Sequence, residues 1–143
     1  MLADRQELHL QHVECLLKYG ADPNLKNSEG NAPLNRLFLR QNWKKMDDNE
    51  RAEHIRLTIR FLKTLLAAGA DINSRGQKNY TPLHHAILWH DAEILKVMLA
   101  AGAEPHAVDN NGYTPYDMLK PEDFPNFTPE FQHLLDTYFK PKP

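Results

Sequence analysis

Histidine is the residue of this chain that most invites chemistry. There are eight histidines in 143 residues, beside a single cysteine, Cys15. His9 and His12 stand three apart, so a helix would carry both on one face, and His84 and His85 are adjacent. A metal site needs a second pair of ligands at a defined spacing, and neither pair has one. No His-Glu-x-x-His, no Cys-x-x-Cys and no glycine-rich phosphate loop occurs. Carboxylates are scattered along the chain, and no cysteine–histidine pairing stands out, Cys15 reading as a packed residue. These residues point away from catalysis and call for no metal and no cofactor.

A second pattern does have regular spacing. Asn79-Tyr80-Thr81-Pro82-Leu83-His84-His85-Ala86 is followed by Gly102-Ala103-Glu104, and Gly112-Tyr113-Thr114-Pro115-Tyr116 follows with its proline 33 residues after Pro82. Gly69-Ala70-Asp71 precedes Gly102 by the same 33. A third copy, Gly20-Ala21-Asp22 with Gly30-Asn31-Ala32-Pro33-Leu34, lies upstream. In every copy an acid precedes the proline by eleven residues: Asp22 and Pro33, Asp71 and Pro82, Glu104 and Pro115. A fixed period of this length marks a stack of supersecondary units. Such stacks usually bind other molecules and seldom catalyse.

The repeat resembles the ankyrin family, with its Gly-x-Thr-Pro-Leu-His-x-Ala start and Leu-Leu-x-x-Gly-Ala-Asp-x-Asn end. Leu65 to Asp117 fits closely, and Leu16 to Leu37 fits more loosely. The resemblance implies an all-α repeat fold, an ankyrin solenoid of helix-turn-helix units with β-hairpin loops. It implies action by surface contact and names no partner. About three and a half units are expected: a partial unit over 1–26, an extended unit over 27–75, a regular unit over 76–108 and a C-terminal capping unit over 109–140.

The residues have physical reasons to sit where they do. Thr81 or Thr114 can cap the following helix, whose first position suits proline. His84 is expected to link the Thr81 region to the neighbouring turn. Gly20, Gly69 and Gly102 end helices in the left-handed conformation. Gly30 and Gly112 allow a tight turn, which Asn79 makes in the third unit. His90 stands where the family usually has glycine, at a cost of about 1 kcal/mol if it is left-handed.

Reading along the chain, Leu2 to Tyr19 forms a helix with Leu10, Val13 and Leu17 on one face. By register it is the second helix of a unit whose first helix is absent. Either the chain is a fragment of a longer array, or this side is left for another domain. His12 takes the register of Phe61 and Ile94 and faces the missing helix or water. Cys15, at the register of Thr64 and Val97, reads as a small packing residue. In the second unit, Gly20 to Gly69 spans 49 residues, sixteen more than one period. Pro33 to about Lys45 is expected as one helix. A second is capped by Asp47 with Glu50 and carries Ile55, Ile59, Leu62 and Leu66 inward. Two extra turns in each helix give an extension of about 12 Å standing out from the stack, with Trp43 and Met46 at its far end. The third unit has helices over Pro82–Trp89 and Ala92–Ala101. In the fourth, a short first helix stops at Pro121, a loop follows, and Thr128 caps a last helix to about Phe139. Phe131, Leu134, Leu135 and Tyr138 seal that end.

Net charge is −2. Arg36 to Lys63 carries eight bases and four acids, and Glu104 to the end carries seven acids and three lysines. A dipolar surface can steer a partner, although solvated helix faces also carry such charges. No aromatic interleaving accompanies the basic stretch, so nucleic acid is not the expected partner. No apolar run is long enough to span a membrane, and the start lacks the basic-then-apolar form of a signal peptide. With one cysteine, an intracellular setting and a monomer in isolation are expected.

The resemblance places the contact surface on the concave side, at the loop tips and the exposed faces of the first helices. The third unit then offers Arg75, Gln77, Lys78, Tyr80, Leu88 and Trp89, and the fourth offers Asn110, Asn111 and Tyr113. The second offers Asn31 and Arg40 in particular, with Trp43 on the extension. Tyr80, Trp89 and Tyr113 would make an aromatic stripe, the residue type that dominates interface hot spots; Trp89 packed against the extended unit is the competing reading. The resemblance also makes Asn24 and Asn73 candidate substrates of an asparaginyl hydroxylase, since a leucine stands eight before each. The competing role for both is to brace the loop with side-chain hydrogen bonds. The family further suggests a non-catalytic segment of a larger scaffold, or of an effector that an intracellular bacterium delivers into a host cell.

Overall fold

In a computed structural model that describes residues 2–38 and 45–140, the helices fall into two rows. The long row holds α1 (Leu2–Lys18), α3 (Asp48–Ala67), α5 (Ala92–Ala100) and α6 (Pro129–Leu134). The short row holds α2 (Pro33–Leu37), α4 (Pro82–Ala86) and a 3₁₀ turn at Tyr116–Met118. Contacts run from α1 to α3, α3 to α5 and α5 to α6 along the first row, and from α2 to α4 along the second. Between them, α2 packs on α3 and α4 on α5, the helix-turn-helix pairing expected of an all-α repeat. No strand occurs among the described residues, so the loops expected as β-hairpins are tight turns. No described helix is long and apolar enough to cross a membrane.

Short first helices form because each begins with a preset proline and is held at its start by the residue three positions on. In the third unit the Thr81 N–H donates to His84 Nδ1 at 3.1 Å and the Thr81 hydroxyl pairs with the same atom at 2.8 Å. That makes Nδ1 the acceptor and leaves the proton on Nε2, which donates to the Tyr113 carbonyl of the next unit at 3.0 Å. Asn35 does the same in the second unit. Its Oδ1 accepts from the Ala32 N–H at 3.0 Å, and its Nδ2 donates to the Ser74 carbonyl at 2.7 Å. Asp117 takes the position in the fourth unit and accepts from both the N–H and the hydroxyl of Thr114, at 2.8 and 2.9 Å.

The caps predicted for the second helices are present. Asp47 accepts from Glu50 N–H at 2.8 Å while Glu50 returns a bond to Asp47 N–H at 3.1 Å. Thr128 accepts from Phe131 N–H at 3.2 Å. Asp91 adds a third cap, accepting from Ile94 N–H at 2.9 Å. His90 has φ 52° and Asn79 φ 62°, both left-handed as expected.

Four expectations are corrected. The first helix of the second unit is α-helical over Pro33–Leu37 and leaves α-geometry at Phe38; residues 39–44 of its expected continuation, with Arg40 and Trp43, lie outside the described residues. The extension of α3 does not simply stand clear of the stack. Its first turns cover Trp89: Arg51 Nη2 lies 3.5 Å from the Trp89 carbonyl, and the His54 ring stacks on the indole at 5.6 Å. Residues 121–126 are 3₁₀ turns rather than an irregular loop. After Leu134 the last helix becomes a π-turn over Leu135–Phe139, which adds a residue per hydrogen-bonded turn. Phe139 thereby takes the inward place expected for Tyr138. Phe139 is 2% exposed and Tyr138 47%.

One core runs through the stack, from Leu34, Phe38 and Leu62 through Leu83, Ile87 and Leu95 to Phe131 and Leu135. In α3 the fully buried residues are Leu57, Thr58, Leu62 and Leu65, while Ile55, Ile59 and Leu66 pack at its margin. Cys15, expected to pack, is exposed. The reason is positional: among the described residues α3 packs between α1 and α5 in the long row, whereas α1 packs there against α3.

Candidate functional site

The loops that join the units converge on one rigid edge, built by local bonds first and cross-links second. Each loop is closed across its mouth by the same backbone bond: Asn27 N–H to Asn31 O at 3.0 Å, Gly76 N–H to Tyr80 O at 2.9 Å, and Asp109 N–H to Tyr113 O at 2.9 Å. The first residue of the loop also receives backbone donors on its side chain. Asn27 Oδ1 accepts from Glu29 and Asn31, both at 3.0 Å. Asp109 Oδ1 accepts from Asn111 at 2.8 Å and Tyr113 at 2.9 Å. Burial works against ionisation of Asp109, but these N–H donors and nearby His84 outweigh it and hold its carboxyl below the usual range.

The middle loop starts with Gly76, which has no side chain to offer. Asn31 of the previous unit supplies the acceptor instead, taking the Gln77 N–H on Oδ1 at 2.9 Å. A Cβ at position 76 would lie 2.3 Å from that oxygen. Asn31, expected as a contact residue of the second unit, is 4% exposed and serves this link instead; its dependence on Gly76 crosses units and leaves no motif. Asn35 was missed, although it stands at the place of His84 in the repeat and could have been found by that alignment.

Neighbouring loops are cross-linked at equivalent positions. Lys26 Nζ donates to the Arg75 carbonyl at 2.7 Å, and Arg75 Nη1 donates to Val108 O at 2.7 Å and Asn79 O at 3.1 Å. Asn110 N–H reaches Lys78 O at 3.1 Å. Asn24 bridges the turns around it, donating to Gly69 O at 2.9 Å and accepting from Asp71 N–H at 2.7 Å. Asn73 repeats this with Gly102 O at 3.0 Å and Glu104 N–H at 2.8 Å. Both candidate hydroxylation positions thus use both ends of their amides to brace the stack.

On this edge Gln77, Lys78, Asn110, Asn111 and Tyr113 are exposed, and Tyr113 shows 55% of its surface. Leu88 is 41% exposed. Arg75 and Tyr80 are half-buried: the guanidinium is tied to two carbonyls, and the Tyr80 ring lies 5.4 Å from His84 and 5.3 Å from His85. Trp89 does not belong to the contact face. It is 3% exposed, with Phe38 edge-on at 5.2 Å, His54 stacked on it and its Nε1–H directed at the Phe38 carbonyl at 3.4 Å. The three-aromatic stripe is therefore not a surface feature.

The histidines are structural where they are buried. Desolvation holds His54, His84 and His90 below the ordinary histidine pKa; the Tyr113 carbonyl partly offsets this for His84, as Asp123 does for His90. His85 is pushed down to about 4 by burial and by the charge of His84. His9 and His12 lie exposed on α1. Among the described residues no group of three or more histidine, cysteine, aspartate or glutamate side chains is arranged to hold a metal.

The family described as "Ankyrin repeats (many copies)" matches residues 65–119. No curated protein matches the chain. The matched stretch holds the closest motif copies, the His84 and Asn73 cross-links and the stacked pair α4–α5, and the match supports ankyrin repeats over these residues.

Proposed function

We propose that this chain is a non-catalytic binding module that engages a partner protein through the loop edge and the outward side of the first helices. Ankyrin repeats are in general protein–protein interaction modules. The observation that carries the finer reading is the contrast on one edge between fixed backbone and free side chains. The loop backbones are cross-linked from Lys26 through Arg75 to Val108, while Lys78, Leu88, Asn110, Asn111 and Tyr113 point to solvent. Side chains on a pre-ordered backbone lose less entropy on binding, and Tyr113 brings a large surface with few torsions. Gln77, Tyr80 and Arg75 complete the face as rim and support. The single cysteine suits a reducing compartment.

The test is affinity capture with the whole chain against a variant carrying Lys78→Ala, Leu88→Ala and Tyr113→Ala, matched by circular dichroism. A protein held by the parent and lost by the folded variant is the expected result. Equal capture by both would move the binding site away from this edge.

A further inference from the structure

The loop edge has a charge pattern of its own. Successive loops place Lys26, Arg75 and Val108 just before the residue that closes each loop. Both bases spend donors on neutral carbonyls, Lys26 on Arg75 O, and Arg75 on Asn79 O and Val108 O. Lys78 stands exposed in the same loop as Arg75. Among the described residues none of the three bases is paired with a carboxylate, so their charge stays uncancelled. The long row is arranged the other way: Arg56 meets Glu53, Arg60 meets Glu7 and Lys96 meets Glu130. Acids beside the basic row in sequence are occupied. Glu29 is paired with Arg36 at 3.6 Å, and Asp109 is 6% exposed with its carboxylate turned to its own loop. Asp22, Asp71 and Glu104 sit in the preceding turns, each accepting the backbone N–H two residues on. Lys78 is also held left-handed, at φ 57° and ψ 18°, whereas in the other two loops only Gly30 and Gly112 are left-handed. A lysine adopts that conformation at a cost.

We propose, resting on the loop edge as the binding face, that the partner lays an extended acidic segment along it. One carboxylate meets Lys26, the next meets Arg75 and Lys78, and an apolar side chain meets Val108 and Tyr113. The charged row stops at the fourth unit, where Val108 is 44% exposed and Tyr113 55%. A run of phosphates would match the bases but not this apolar end. Adjacent units stack about 8–10 Å apart, a step that an extended chain covers in about three residues at ~3.3 Å each. Acids should therefore recur every third residue, with the apolar residue one further step along. Lys26 and Arg75 are already fixed by the cross-links, so they lose less freedom on meeting a carboxylate than free surface bases would. The pattern crosses three consecutive loops and owes nothing to either end of the chain.

The probe is a peptide of about ten residues with a phenylalanine at each end and glutamates between them at every third position, threonine filling the rest. It is titrated at low salt into the ¹⁵N-labelled chain. Saturable shifts at Lys26, Arg75, Lys78 and Tyr113 are expected, with a Kd on the order of 100 µM. Lys26→Gln with Lys78→Gln should weaken binding by about fivefold or more. Lys78→Gln alone, whose side chain makes no bond among the described residues, should weaken it by about threefold. Lys63→Gln with Lys120→Gln removes the same charge elsewhere and should leave binding unchanged, while glutamine in place of the peptide's glutamates should abolish it. Absence of saturable shifts would overturn the proposal. If the Lys26, Lys78 pair changes nothing while Tyr113→Ala still weakens binding, the acidic partner is overturned and the loop edge stands; if none of these variants matters, both fall. Equal loss in the Lys63, Lys120 pair, or equal competition by a duplex oligonucleotide, would also overturn it, since the chain would then attract anions at large.

Discussion

The two ends of the stack solve the same problem differently. Both must deal with the apolar side of a terminal helix. At the C-terminal end, α6 and its π-turn lay Phe131, Leu135 and Phe139 against α5 with at most 2% exposure, and Lys96 reaches across to Glu130. At the N-terminal end Leu8, Leu16, Tyr19 and Leu25 are 50–81% exposed. Terminal units of a repeat array need a polar outer face. Among the described residues the last helix buries its apolar side chains, whereas α1 and the first loop present apolar surface. In a quasi-linear stack stability is a sum of unit and neighbour terms, so the ends should differ in local stability as well.

Substitutions can break this contrast in graded steps. Phe131→Ala opens a cavity in the sealed end and should cost about 3–5 kcal/mol in denaturant unfolding. A loss near zero would mean the C-terminal helix is not integral to the core. Gly76→Ala, in the middle, drives a methyl group against Asn31 and uncouples two loops, at about 2–3 kcal/mol. Adding Asn31→Ala should recover part of that loss, and a double variant no more stable than the single would refute the steric account.

Acid should act on the inner histidines. Their folded pKa values lie below the unfolded value of 6.5, so the unfolded state binds protons first and stability falls as pH drops below about 6.5. For His85, at about 4 in the folded state, the loss between pH 7 and pH 5 is about 2 kcal/mol. His85→Gln should flatten the pH dependence of the melting temperature by that amount; an unchanged slope would show that His85 is not the group responsible. Smallest of all, Leu16→Gln should change unfolding free energy by no more than about 0.5 kcal/mol. A loss similar to that of Phe131→Ala would erase the difference between the ends.

Local signals carried most of what the sequence revealed. Thr-Pro starts, the capping pairs at Asp47 and Thr128, and the left-handed Asn79 and His90 depend on neighbours a few residues away, and the structure has them. What was not legible depends on the uneven second unit or on partners one unit away. For Trp89 the repeat pattern, which leaves its position outward, favoured a contact role, and the competing reading, packing against the extended unit, is the one the structure has. Trp89 is buried under α3, which is 20 residues long and stacks His54 on it, and against Phe38. The pairing of Gly76 with Asn31 spans 45 or more residues and leaves no motif. The exchange of Tyr138 for Phe139 follows from a change of helical pitch, which a period-based reading cannot anticipate.

The stack also has a direction, written in protons. Asn35 and His84 each take a hydrogen from their own turn and hand another onward, Asn35 to the Ser74 and Tyr80 carbonyls and His84 to that of Tyr113. Asp117 takes two and, as a carboxylate, has none to hand on. A further unit docked after it in the same register would bring a carbonyl oxygen against a carboxylate oxygen with no hydrogen between them. The relay can be extended backwards from its first turn, but at Asp117 it stops, and a single change to Asn would restart it.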